Sequence, residues 1–278
     1  MPIAVIELAF DPYLRFGDLA VRLETLATAV AVLVALLVAA RTVRVVDGGL
    51  DDILFVALGA IPGAILGGRL GYGLLHLDYY AASPTSLVDP SQGSLELGLA
   101  VVGGVLTGSW VAVLLGGRVR GWLEAAIVPL LIAIVVGKLA TALGGAGQGL
   151  PSDASWATAY VGDGPWASLG ASTPSHPSQL YEALGTALVL LVVIAAGRVS
   201  RLARPAGRLF FIGIGGWAVV RAAAASTWRD EPVLVGLRAG QVIALAILAG
   251  CVVLLVVTSI RSRHRATGDS VATRAPAT

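Results

Sequence analysis

Apolar residues occur along this chain in long runs separated by shorter polar segments. A bilayer span needs about 20 mostly apolar residues, and seven segments of the chain meet that condition. They run from Asp18 to Ala40, Ile53 to Leu75, Glu96 to Leu115, Trp122 to Leu143, Ser178 to Ala196, Arg208 to Ala225 and Ala239 to Ile260. The pattern therefore predicts an all-α, polytopic membrane protein with seven transmembrane helices.

Composition supports this prediction and excludes other classes of protein. Of the 278 residues, 56% are hydrophobic and 13% are charged, whereas an ordinary soluble domain has roughly 25% charged residues. The mean hydropathy of +0.85 excludes a soluble globular protein and a disordered chain. The net charge is only +2, and the charged residues are too few and too scattered to follow a phosphate backbone. We therefore expect membrane lipids among the partners and no nucleic acid.

The arginines between the predicted spans indicate the orientation. They fall in alternate loops and in the tail, at Arg41, Arg44, Arg118, Arg120, Arg198, Arg201, Arg204, Arg261, Arg263, Arg265 and Arg274. The positive-inside rule then places the amino terminus outside and the carboxy terminus in the cytoplasm. Arg229 and Arg238 depart from this alternation, which suggests a role for them on the outer face.

The same pattern gives the domain organisation. Residues 1–260 are predicted to form one seven-helix membrane domain, and residues 261–278 a disordered cytoplasmic tail rich in Arg, Thr and Ala. Two outer loops, at about 77–95 and 144–177, exceed the length of simple connectors, and loops longer than about 12–15 residues are often functional.

Among the ionisable residues inside the predicted spans, four stand out: Arg69, Lys138, Glu182 and Arg221. Because a charge inside a span costs roughly 2.5–3.5 kcal/mol on insertion scales, each is a candidate functional residue. Three cations and one anion at similar depth leave an excess of positive charge, which predicts an anionic ligand such as a phospholipid phosphate. Two structural alternatives stay open: Lys138 and Arg221 could extend to the headgroups, and Arg69 could pair with Glu182.

The most specific stretch is HPSQLYEA, from His176 to Ala183. Pro177 and Ser178 suit the first turn of a helix. Gln179, Tyr181 and Glu182 are not explained by a helix start, and they must find partners inside the bundle. The stretch therefore predicts a polar cluster at the outer end of the fifth span.

These residues carry a resemblance to a known family. HPSQLYE and the GGRLGY stretch that contains Arg69 resemble motifs of the prolipoprotein diacylglyceryl transferases of bacterial inner membranes. Further matches follow in family order, at Phe10 to Pro12, Gly103 and Gly104, Gly137 to Leu139, Gly149, Arg229 to Pro232, and Gly240 and Gln241. The resemblance covers about residues 10–260, and it implies a multi-pass protein of the bacterial inner membrane.

The resemblance also implies an activity and a site. Members of the family move the diacylglyceryl group of phosphatidylglycerol onto the lipobox cysteine thiol of a prolipoprotein signal peptide and release glycerol phosphate. The implied catalytic residues are Arg221, Lys138 and His176. The implied substrate-binding residues are Arg69, Gln179, Tyr181, Glu182, Arg229, Gly103, Gly104 and Gly149. No cofactor is expected, and the three histidines lack metal-ligand spacing.

The chain departs from the family pattern at several motif positions. The replacements are Val102 for histidine, Lys138 for arginine, Thr141 for asparagine, and Ala146 and Ala225 for glutamate. Since valine cannot accept a proton, the base that would activate the thiol stays open among His176, His76 and Glu182. Two other functions stay open as well: a catalytically weak or inactive homologue that binds anionic phospholipid or lipoprotein signal peptides, and a transporter.

Overall fold

The structure is a computed structural model that describes residues 5–42, 49–87, 95–162, 164–168, 170–199 and 206–272. Eight α-helices lie in this part of the chain. They are α1 (Leu23–Thr42), α2 (Leu50–Leu75), α3 (Leu77–Ala82), α4 (Leu97–Leu114), α5 (Val119–Leu143), α6 (Ser178–Gly197), α7 (Arg208–Ala225) and α8 (Ala239–Ala272). All except the short α3 contain a stretch long and apolar enough to cross a membrane. This confirms the predicted polytopic all-α fold with seven candidate spans.

The first span begins later than the apolar pattern predicted. Leu19–Arg22 forms a strand, β3, which pairs antiparallel with β2 (Tyr13–Phe16), and α1 starts directly after it. Gly17 occupies the turn with a φ of 59°, a conformation that glycine adopts without steric cost. The pairing takes the residues from Asp18 to Arg22 out of the predicted helix.

Helices α2 and α4 pack closely through small residues. A Cβ added to Gly103 would lie 2.1 Å from the carbonyl oxygen of Gly63, and one added to Gly67 would lie 2.2 Å from that of Leu99. Only glycine permits backbones to approach this closely, as in other small-residue contacts between membrane helices. The backbone N–H of Glu96 also donates to Gly68 at 3.0 Å, so α2 fixes the place where α4 begins.

The core lies around α7, which packs against α5, α6 and α8. Leu131 of α5, Val193 of α6 and Phe210 and Trp217 of α7 are buried there. The outward faces of the helices remain apolar, with exposed leucines such as Leu184 of α6. Exposed leucine over whole helix faces is typical of a lipid-facing surface.

The segment 144–177 connects α5 to α6 and covers one end of the bundle, which we call the loop end. Within it, β4 (Thr158–Tyr160) pairs in parallel with β1 (Ile6–Leu8). The ring of Phe10 packs edge-on against Trp166, with ring centroids 5.0 Å apart. The chain near its amino terminus therefore helps to hold this segment over the helix ends.

The last helix continues past the apolar run that predicted it. Helix α8 continues to Ala272, although the apolar run ends near Ile260. Arginine and alanine are good helix formers, which is consistent with this continuation. Four arginines used to predict the orientation, Arg44, Arg201, Arg204 and Arg274, lie outside the described residues. The orientation of the termini stays a prediction.

Candidate active site

The centre of the site is the Glu182 carboxylate on α6, near the loop end. Glu182 is fully buried and accepts hydrogen bonds from three side chains. Arg221 Nη1 of α7 donates to it at 3.0 Å and Trp217 Nε1 at 3.2 Å, while Lys138 Nζ of α5 lies 2.8 Å from its second oxygen. Such a carboxylate is stable inside the bundle because its charge is paired and its oxygens are hydrogen-bonded.

Arg221 connects this carboxylate to a second one. Its Nη2 donates to Glu96 Oε1 at 2.7 Å, and Arg221 is only 3% exposed. Glu96 in turn caps α4, since its carboxylate accepts the backbone N–H groups of Gly98 and Leu99. The arginine therefore joins the start of α4 to α6 and α7.

This arrangement corrects the predicted charge balance. We expected three cations facing the single anion Glu182, but Glu96 joins the cluster, so that Lys138 and Arg221 face two carboxylates. The ion pairs of Glu182 are with Lys138 and Arg221, and the alternative of an Arg69–Glu182 pair is not realised among the described ion pairs. An excess of cations in the buried cluster therefore cannot be the reason for binding an anion.

The Trp228 ring lies between the two cations. The guanidinium carbon of Arg221 is 4.8 Å from the ring centroid, and Lys138 Nζ is 5.9 Å away. These distances are typical of cation–π contacts. Among the described residues, Arg221 Nε is buried and has no hydrogen-bond partner. Gly240 makes room for the ring, because a Cβ there would lie 2.2 Å from it.

A polar cavity of about 260 Å³ opens beside the cluster. It is lined by Lys138, Thr141, Gly147, Gln148, Gln179, Glu182, Trp228, Arg229 and Asp230. The lining includes two cations, Lys138 and Arg229, from different elements. Arg221 is not in this lining and reaches the cluster through its hydrogen bonds to Glu182.

An apolar cavity of about 750 Å³ lies between α1, α2, α4 and α5. Exposed side chains of the helix surface, such as Val32 and Ile61, form part of its wall, so it reaches the lipid-facing side. Lys138 and Thr141 line this cavity and the polar one. These two side chains therefore belong to the walls of both cavities.

The HPSQLYE stretch contributes buried polar groups, as its sequence predicted. Gln179 Nε2 donates to the Tyr160 hydroxyl at 3.1 Å, and this hydroxyl donates to the Ala142 carbonyl at 2.8 Å. Burial raises the pKa of Tyr160, which keeps it a neutral donor at physiological pH. The Ser178 hydroxyl lies 2.6 Å from that of Thr227. The Gln179–Tyr160 bond fastens the start of α6 to the segment 144–177, and the Ser178–Thr227 bond fastens it to the residues that follow α7.

His176 and Tyr181 form a separate polar group. His176 Nδ1 lies 3.2 Å from the Tyr181 hydroxyl, which also accepts a hydrogen bond from Trp156 Nε1 at 2.8 Å. Neither residue is among the described residues that line the two cavities. His76 stacks on Tyr72, with ring centroids 4.1 Å apart, and it too is absent from both linings. The structure therefore does not bring either histidine to the polar cavity.

Arg229 is a fixed part of the cavity wall. Its Nε donates to the Gly149 carbonyl at 2.7 Å and its Nη2 to Ser175 Oγ at 3.0 Å. A Cβ on Gly149 would lie 2.3 Å from Ser178 Oγ and from the Thr227 carbonyl. Gly149, which the resemblance implied as a binding residue, must therefore be glycine because the backbone packs closely next to the site.

The remaining predicted residues do not line the polar cavity. Gly103 lies in the close contact between α2 and α4, while Gly104 lines the apolar cavity. Arg69 is half-buried on α2 and lines neither cavity. Sequence reasoning missed several residues of the site, among them Glu96, Trp217, Trp228 and Asp230. Glu96 had a usable signal, because a carboxylate directly before an apolar run is stabilised by the start of a helix.

The family model and the curated relatives that match this chain carry the same description. Over residues 12–257 the chain matches the family described as prolipoprotein diacylglyceryl transferase. It is 30% identical over 274 residues, 92% of this chain and 97% of the relative, to the phosphatidylglycerol–prolipoprotein diacylglyceryl transferase of Bordetella avium. The protein of that name from Geobacter sulfurreducens is 32% identical over 193 residues, 68% of this chain and 70% of its own length.

Proposed function

This chain belongs to the prolipoprotein diacylglyceryl transferase family, and we propose that the two cavities that Lys138 lines hold its lipid substrate. The function is the transfer of a diacylglyceryl group from phosphatidylglycerol to a prolipoprotein, a step of lipoprotein biosynthesis. The chain is therefore a transferase and a multi-pass membrane protein.

The observation that carries the proposal is that Lys138 and Thr141 line both cavities. A diacylglyceryl lipid has two long apolar chains and one anionic headgroup, so its site needs an apolar volume joined to a polar one. The apolar cavity between α1, α2, α4 and α5 supplies the first, and the cavity lined by Lys138 and Arg229 supplies the second. The glycerol carbon that bears the phosphate would then lie near Lys138 and Thr141.

Lys138 and Arg229 would contact the phosphate. When the bond between the glycerol carbon and the phosphate oxygen breaks, negative charge grows on the leaving phosphate, and fixed cations stabilise that charge. Arg221 does not line the polar cavity. Its role in this proposal is to hold Glu182 and Glu96 in place through its hydrogen bonds to both. This differs from the assignment by resemblance, in which Arg221 and Lys138 both face the phosphate.

The orientation completes the proposal. The end of the bundle opposite the loop end carries arginines of the described residues at Arg41, Arg118, Arg120, Arg198 and Arg208. By the positive-inside rule this end faces the cytoplasm. The loop end then faces outward from a bacterial inner membrane, where a prolipoprotein signal peptide would present its lipobox cysteine.

A reconstituted assay tests the function. The purified chain is placed in nanodiscs that contain phosphatidylglycerol, and a peptide with one lipobox cysteine is added. We expect mass spectrometry to show the diacylglyceryl thioether and one glycerol phosphate for each product. A matched peptide with serine in place of the cysteine is expected to stay unmodified. Binding of lipid and peptide without thioether would overturn the proposal in favour of a binding protein.

A further inference from the structure

We infer that Asp230 is the general base that takes the proton from the cysteine thiol. The inference rests on the proposed function, because it concerns the nucleophile of that reaction. A thiolate, rather than a thiol, is the attacking species, so a group at the site must accept the proton. Val102 occupies the position of the family's histidine and cannot do so.

The polar cavity offers few acceptors. Glu182 and Asp230 are the carboxylates in its lining among the described residues. Glu182 is fully buried, and Lys138, Arg221 and Trp217 already donate to it. A carboxylate held by two cations and an indole N–H is a weak base, and a proton on it would break two ion pairs.

Asp230 differs from Glu182 in its exposure and in its ion pairs. It is exposed, and no ion pair to it occurs among the described residues. The backbone of Asp230 is nevertheless held in place, because its carbonyl accepts a hydrogen bond from Arg238 Nε at 3.0 Å, and the preceding Arg229 donates to Gly149 and Ser175. Asp230 is thus a solvent-reachable carboxylate at the mouth of the cavity, where a peptide would enter.

The groups around Asp230 favour a thiolate. Lys138 from α5 and Arg229 line the same cavity, and nearby cations lower the pKa of a thiol. Glu182 from α6 is the other charged group of the lining. The Tyr72 hydroxyl of α2 interacts electrostatically with Asp230, and the Arg238 guanidinium lies beside its backbone. The cations that would stabilise the leaving phosphate would therefore also stabilise the nucleophile.

The proposed reaction is a displacement at the glycerol carbon. The Asp230 carboxylate accepts the thiol proton, and the sulfur attacks the glycerol carbon that bears the phosphate. The carbon–sulfur bond forms as the carbon–oxygen bond breaks, and the bonding electron pair leaves with the oxygen of glycerol phosphate. The proton passes from Asp230 to the released phosphate or to water. No oxidant, metal or further reactant is needed.

The test uses Asp230→Asn in the reconstituted full chain, with Glu231→Gln as the matched control. Glu231 is the exposed carboxylate next along the chain and is absent from the cavity lining. At pH 7 we expect Asp230→Asn to lower the single-turnover rate about 100-fold, since a general base contributes about 10²–10⁴-fold. Asp230→Glu should recover part of the rate, and Glu231→Gln should match the wild type.

A second readout separates a base from a structural residue. The thiol ionises by itself at about pH 8.5 and above, so the deficit of Asp230→Asn should shrink strongly at pH 9.5, while its phosphatidylglycerol binding stays unchanged. A wild-type rate for Asp230→Asn at pH 7, or a deficit equally large at pH 9.5, would overturn the assignment. A wild-type chain that forms no thioether would overturn the proposed function, and the assignment with it.

Discussion

Glu96 and Arg221 form a buried ion pair between the start of α4 and α7, with Glu96 Oε1 and Arg221 Nη2 2.7 Å apart. The same carboxylate accepts the backbone N–H groups of Gly98 at 2.8 Å and Leu99 at 2.6 Å. Arg221 in turn donates to Glu182. One side chain therefore begins a helix and also holds the arginine that supports the central carboxylate.

Substitution of Glu96 should destabilise the protein and slow transfer. Glu96→Ala leaves Arg221 buried with one carboxylate fewer, and breaking a buried pair in this way costs about 3–5 kcal/mol. Glu96→Gln keeps an acceptor for the cap, so its loss should be smaller. Thermal unfolding in detergent and the initial transfer rate measure both effects.

Glu124 provides the matched control for Glu96. It also accepts two backbone N–H groups at a helix start, from Gly207 at 2.7 Å and Leu209 at 3.3 Å, but it lies at the end of the bundle opposite the loop end. Glu124→Ala should cost about 1 kcal/mol, as lost helix caps do, with the transfer rate of the folded protein unchanged. Equal losses for the two alanine variants would contradict the distinct role of Glu96.

The transfer rate should depend on a positive charge at position 138, so that arginine can replace Lys138 and a neutral residue cannot. Lys138→Arg keeps the charge beside Glu182 and adds a guanidinium fork that suits phosphate geometry, so we expect a rate close to the wild type. Lys138→Met removes a charged hydrogen bond of about 1.5–3 kcal/mol, and the transfer rate should fall about 10- to 150-fold. Steady-state kinetics with varied phosphatidylglycerol measure this. A wild-type rate for Lys138→Met would contradict its place at the phosphate.

The glycine contact between α2 and α4 should be intolerant of a methyl group. Gly103→Ala would place its Cβ 2.1 Å from the Gly63 carbonyl oxygen. Relief requires the helices to separate, and such overpacking costs about 1–3 kcal/mol. Gly250→Ala on α8 is the control, since nothing lies within 4 Å of its Cβ. We expect the unfolding temperature of Gly103→Ala to be well below that of the wild type, and that of Gly250→Ala to be equal to it or higher.

Filling the apolar cavity should change the preference for acyl length. Ala133 of α5 lines that cavity, and Ala133→Phe would occupy volume that the long chains need. We expect the rate to fall more for long-chain than for short-chain phosphatidylglycerol. Leu184→Phe, on an exposed face of α6, is the control and should leave the ratio of the two rates unchanged. An equal fall for both lipids with Ala133→Phe would place the acyl chains elsewhere.

The spans and several site residues could be predicted from the sequence because they depend on local pattern. Apolar runs of spanning length need no knowledge of the tertiary contacts, and the buried charges of Lys138, Glu182 and Arg221 are conspicuous within such runs. The start of α1 was placed too early, since pairing of Leu19–Arg22 with Tyr13–Phe16 is decided between segments rather than within one.

The partners of these charges could not be predicted, because they come from distant parts of the chain. Glu96 lies 125 residues before Arg221, and its place at the start of a span indicates a helix start but not an ion-pair partner. Arg69 was expected in the cluster because of its depth in α2, yet depth does not fix the direction in which a side chain points. The cavities depend on how four helices are spaced, which only the assembled bundle shows.

The most direct test is an experimental structure of the chain with bound phosphatidylglycerol. We expect one lipid with its phosphate within hydrogen-bond reach of Lys138 and Arg229, and with its acyl chains between α1, α2, α4 and α5. A phosphate bound outside the polar cavity, for example at Arg69, with the acyl chains away from the apolar cavity, would contradict this expectation.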